Sequence, residues 1–69
     1  MTPEEIHEIR TFIGVTQEKF AQMLGTTVAS VNRWENGKVS PSRLYIKEIN
    51  ELRKNHGSYL SRRKQAQQP

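Results

Sequence analysis

Thr27, Val28, Ala29, Ser30, Asn32 and Arg33 stand within one short stretch, and their side chains suit the reading of a patterned edge better than the breaking of a bond. Arg33 carries a planar fork of donors that matches the two acceptors on a guanine edge. Val28 and Ala29 offer only methyl contact, and thymine alone among the four bases presents a methyl group in the major groove. Bond-breaking chemistry is poorly supplied by comparison. The chain has no Cys and no Asp, and His7 and His56 stand alone, without a spaced carboxylate or second ligand. With no strand expected, no glycine-rich phosphate loop can follow one. No catalytic residue, metal or cofactor is therefore expected, and His7 is read as solvent-exposed.

Edge-reading residues work only if one helix holds them outward. Val31 and Trp34, three apart, define the inward face of such a helix, and they face Phe20 and Leu24, spaced i, i+4 on the helix before it. Ala21 lies where the two helices pass closely, and Gly25 where the first must stop in a left-handed conformation. The spacing predicts helices over 17–24 and 28–35, capped by Thr16 and Thr27, which cross at a tight turn. Upstream, Thr2, Pro3 and Glu5 predict a capped helix start, with Ile6, Ile9 and Ile13 as its buried stripe, Phe12 widening that stripe and Gly14 ending it. Downstream, Asn36 and Gly37 close the third helix, a polar loop spans 38–41, and Ser42, with Ser40 as the alternative, caps a fourth. Tyr45, Ile46, Ile49 and Leu52 give that helix a buried face to about Asn55, and His56, Gly57 and Ser58 break it. Residues 1–57 are read as the domain. Residues 58–69 are read as a basic tail that holds a short turn at Tyr59 and Leu60 and is disordered from Ser61 onward.

Charge follows the same division. The net +4 of the 69 residues is assembled from −3 over 1–18, +4 over 19–47 and +3 from Arg62, Arg63 and Lys64. Positive charge gathered on the second half of a helix pair and on a tail is the footprint of a nucleic-acid binder. RNA is disfavoured, since no exposed aromatic platform is available for unstacked bases. The chain is long enough for one domain. Its start, MTPEEIHEIR, has no apolar run, and no stretch resembles a membrane span, so a cytoplasmic protein is expected.

The stretches GVTQEKFAQMLGTT and SVNRWENGKVSPS resemble the Cro/CI-type, or xenobiotic response element, helix-turn-helix family of phage and bacterial regulators, from about Arg10 to about Leu52. That resemblance implies an all-α, lambda-repressor-like bundle of four to five helices that binds duplex DNA sequence-specifically. Val28, Ala29, Ser30, Asn32 and Arg33 would read bases. Gln17, Thr27, Asn36, Lys38 and Arg43 would grip phosphates, with Gln17 also at the positive end of its helix. Arg10 and Glu35 would form an ion pair tying the third helix to the first. The implied role is transcriptional regulation, as a repressor at a palindromic operator, with an antitoxin or accessory regulator acting through a protein partner as the alternative. One such module makes few base contacts, so a homodimer on two half-sites about one helical turn apart is expected, monomeric when free.

Overall fold

Threonine starts and glycine stops account for most of the helix boundaries. In the computed structural model, which describes residues 1–55, α1 runs Pro3–Ile13, α2 Gln17–Leu24, α3 Val28–Glu35 and α4 Arg43–Lys54, with no strand among the described residues. Thr2 and Glu5 form a reciprocal capping box, with bonds of 3.1 and 3.0 Å, and Pro3 occupies the first turn. Thr16 Oγ1 accepts from the Lys19 N–H, and Thr27 Oγ1 accepts from the Ser30 N–H, each at 3.1 Å. Ser42 does precede α4, but its side chain makes no capping bond. That helix forgoes a contribution of about 1 kcal/mol and depends on its packing instead. The expected tail and the turn at Tyr59 and Leu60 lie outside the described residues.

The core is built from one stripe of each helix: Ile6, Ile9 and Ile13 of α1, Phe20, Ala21 and Leu24 of α2, Val31 and Trp34 of α3, and Ile49 of α4. Phe20, Ile6, Ile49 and Val31 are sealed from solvent, and each such side chain stabilises the fold by about 1.5–3 kcal/mol. Tyr45 and Leu52 pack at the margin of this core. Tyr45 lays its ring against Trp34 at a centroid distance of 5.3 Å and a tilt of 48°. Phe12 departs from expectation: it is 62% exposed. At 3.6 residues per turn it falls roughly a quarter turn off the line of the three isoleucines. There it lines a shallow groove with Glu8, Ile9 and Arg53.

The crossing of α2 and α3 depends on how α2 ends. Gly25 stands at φ 72°, and the Thr26 N–H reaches back to the Ala21 carbonyl at 2.9 Å, which reverses the chain within three residues. A Cβ at this position would meet nothing within 4 Å, so the constraint is the backbone angle rather than space. Gly25→Ala should therefore cost about 1–2 kcal/mol, and Gly25→Asn less, because asparagine tolerates the left-handed region. Urea unfolding measures both; an alanine variant as stable as the parent would contradict this account of the turn.

Candidate nucleic-acid interface

The outward face of α3 is uncovered. Val28 is 47% exposed, and Ala29, Asn32 and Arg33 are exposed beside it, while Val31 and Trp34 hold the opposite face in the core. These four outward residues fall within about a 140° arc of the helix. Ser30 falls outside the arc: it is half-buried, and its Oγ accepts from the Thr27 hydroxyl at 3.1 Å. The geometry thus gathers four of the five expected base readers on one surface and places Ser30 with the cap.

Behind this face lies a cluster centred on Glu35. Arg10 Nε donates to one carboxylate oxygen at 2.6 Å and Nη2 to the other at 3.1 Å, a bidentate pair, and Nη1 donates to the Val15 carbonyl at 2.9 Å. One guanidinium therefore ties α1 to the α1–α2 connection and to α3. Only 6% of the Glu35 side chain and 14% of the Arg10 side chain remain accessible. His7, exposed as expected, nonetheless brings Nδ1 to 3.0 Å from Glu35 Oε1 and 3.2 Å from Arg10 Nη2. A proton on Nδ1 makes the first contact a donated bond, and a bare Nδ1 accepts the second. Gln17 Nε2 joins the same carboxylate at 3.3 Å. Burial pushes the Glu35 carboxyl up, but the bonds from Arg10, His7 and Gln17 together outweigh it and hold the group below its ordinary range. The hydrogen bond to Glu35 raises Arg10 in turn.

The spacing of helices and the uncovered face can be compared with known proteins. A family model described as helix-turn-helix matches residues 6–57, most of the chain. The chain belongs to the helix-turn-helix family. This family is a DNA-binding, non-enzymatic kind of protein. The chain is also 40% identical over 43 residues to the uncharacterized HTH-type transcriptional regulator YiaG of Escherichia coli strain K12, and equally to its counterparts in strains O6:H1 and O157:H7. The aligned part is 62% of this chain and 45% of each relative, so the chain spans about half the length of the curated relatives it matches. No solved structure matches it.

The residues expected at phosphates stand at helix ends and in the loop after α3. Gln17 opens α2, Thr27 caps α3, Asn36 follows its last turn and Arg43 opens α4. Lys38 is placed by the end of α3: Gly37 adopts φ 73°, its N–H bonds to the Trp34 carbonyl at 3.3 Å, and the Lys38 N–H bonds to the Arg33 carbonyl at 2.9 Å. Lys38 and Arg43 are exposed, and neither forms an ion pair among the described residues. Thr27 and Gln17 are already engaged. The Thr27 hydroxyl proton goes to Ser30 and both ends of the Gln17 carboxamide bond α3, which leaves the second Nε2–H of Gln17 and the backbone N–H groups of the two first turns as donors toward an anion. Among the described residues, no group of three His, Cys, Asp or Glu could hold a metal, and no helix is long and apolar enough to cross a membrane.

The roles of His7 and Gln17 around Glu35 escaped sequence reasoning. One signal was present for His7, which lies three residues before Arg10 and so shares its side of α1. Nothing in the local pattern marks Gln17, whose partners lie 15 and 18 positions away.

Proposed function

We propose that the protein is a sequence-specific regulator of transcription that binds duplex DNA by laying α3 in the major groove, and that it represses by occluding a palindromic operator. The observation that carries this reading is the uncovered face of α3, where Val28, Ala29, Asn32 and Arg33 combine methyl contact, amide and guanidinium on a helix whose other face is locked in the core. Two copies on half-sites about one turn apart would supply the base contacts that one α3 lacks. The exposed Val39 of the α3–α4 connection and Leu44 of the first turn of α4, 50% and 65% accessible, offer such a second copy an apolar surface, and they equally suit the protein partner of an antitoxin or accessory regulator. The HTH-type regulator name of the relatives supports the regulatory reading. Selection from a random duplex library tests it: enrichment of a site with two-fold symmetry is expected, and failure to enrich any sequence overturns sequence-specific recognition.

The base-reading and phosphate-gripping residues should separate in salt titrations on the enriched site. Arg33→Ala should cost about 1–3 kcal/mol on that site and relax preference at one base position. Lys38→Ala and Arg43→Ala should weaken selected and random duplexes by similar factors, each lowering the slope of log K against log salt by roughly one. An Arg33→Ala loss that is equal on all sequences would remove Arg33 from the base readers.

A further inference from the structure

Three carboxamides and one carboxylate form a chain of hydrogen bonds that ends on the exposed face of α3. Gln17 Nε2 donates to Glu35 Oε1 at 3.3 Å, Asn32 Nδ2 donates to Gln17 Oε1 at 3.3 Å, and Asn36 Nδ2 donates to Asn32 Oδ1 at 2.9 Å. A side-chain carboxamide by itself fits equally well when its oxygen and nitrogen are exchanged. An ionised carboxylate removes that freedom, because it accepts and never donates. Glu35 is kept ionised by Arg10, so the Gln17 nitrogen must face it and the Gln17 oxygen must face away. That oxygen only accepts, so Asn32 must turn its nitrogen toward Gln17 and its oxygen toward Asn36. A half-buried charge behind α3 thus determines the sense of an amide on the surface.

After these bonds Asn32 retains one N–H and one oxygen lone pair, and it is exposed between Val28 and Arg33. One donor beside one acceptor is what the N7 and N6 groups of adenine accept and donate in the major groove. Reversing an A·T pair to T·A exchanges the positions of donor and acceptor along that groove. An amide of fixed sense matches one arrangement only, whereas an amide free to turn over matches both.

We propose that Asn32 reads an adenine, and that Glu35, acting through the Gln17 carboxamide, fixes the sense in which it does so, so that the domain distinguishes A·T from T·A at that position. Gln17 and Glu35 are positioning residues in this scheme, and Asn32 makes the contact. The inference rests on the reading of α3 as the helix that enters the major groove.

The test starts from the site enriched out of the random duplex library. All four base pairs are placed at each position in turn, and affinities are measured for the parent, Asn32→Ala and Gln17→Met, with circular dichroism melts to show that each variant is folded. Gln17→Ala, which favours the helix, replaces the methionine variant should that one not fold. The parent should separate A·T from T·A at one position by about 5- to 150-fold. Asn32→Ala and Gln17→Met should each bring that ratio near unity at the same position, and the double variant should lose no more discrimination than either single one. The preference for guanine owed to Arg33 should persist in Gln17→Met, which a general loosening of α3 would not allow. The inference is overturned if Gln17→Met weakens every duplex by one common factor with the ratio intact, as a phosphate contact alone would, or if Asn32→Ala leaves the ratio unchanged. A parent that enriches no sequence overturns the groove-reading role itself, and a clear consensus indifferent to both variants overturns only this inference.

Discussion

Replacing Arg10 by methionine should lower the unfolding free energy by about 3 kcal/mol, most of what a domain of this size possesses. The loss does not measure an attraction between two charges. It reflects what remains behind: Glu35, with 6% of its side chain accessible, loses both guanidinium bonds, and the Val15 carbonyl loses its donor. Glu35→Leu should be destabilising for the mirror reason, since Arg10 is then left without its carboxylate. The double variant Arg10→Met/Glu35→Leu leaves neither charge stranded and should be more stable than the worse single one. Urea unfolding of the four proteins closes the cycle, and strictly additive losses would mean that the pair does not act as a unit.

The same cluster sets an acid dependence whose sign is determined. Glu35 has a folded pKa below its unfolded value, so its contribution is fully present above the unfolded carboxylate range, near about 4.3, and is lost as pH falls through the lower folded value. In Arg10→Met, burial, the largest influence on this carboxyl, is opposed by His7 and Gln17 alone, so the folded pKa rises and this part of the acid-induced loss should shrink or reverse. Stability profiles of parent and variant between neutral pH and pH 3 compare the two directly.

How much of this was legible along the chain depends on the range of the interaction. Helix limits were legible because their causes are local: a threonine three residues before the N–H it accepts from, as at Thr16 and Thr27, or a glycine where φ must turn positive, as at Gly25. The core was legible for a related reason, since spacing along one helix fixes which residues share a face. Phe12 shows the limit of that rule, because a position on the flank of a stripe is buried only if a neighbouring helix extends over it. Ser42 shows another, since a residue of the right type at the right place need not make the bond. The environment of Glu35 was legible only in part. The Arg10 pair was implied by resemblance, but the approach of His7 and Gln17 depends on how α1 and α2 cross α3, a relation between segments 18 to 28 residues apart that no local pattern encodes. Ser30 was expected on the outward face, and its half-buried place beside the Thr27 hydroxyl follows from cap geometry.

Trp34→Ala should leave the free protein largely unfolded at 25 °C. The indole is 4% accessible, lies on the inward face of α3 and stacks at a tilt on Tyr45 of α4. Truncating a buried aromatic of this size costs about 3–5 kcal/mol, which equals or exceeds the stability that a small single core supplies. Trp34→Phe keeps most of the apolar volume and the ring contact, so it should remain folded with a lower melting temperature. DNA then supplies a second test of the same residue. If Trp34 acts only by holding α3 against the core, the enriched duplex should drive the alanine variant back toward the helical state, because a ligand at about 100 times its Kd for the folded form adds roughly 2.7 kcal/mol of stability. Circular dichroism at 222 nm during a duplex titration follows this recovery of helix. A Trp34→Ala protein that melts like the parent yet fails to bind would place the indole at the DNA rather than in the core, and α3 would then have to be rotated from the orientation in which Val28, Ala29, Asn32 and Arg33 face outward.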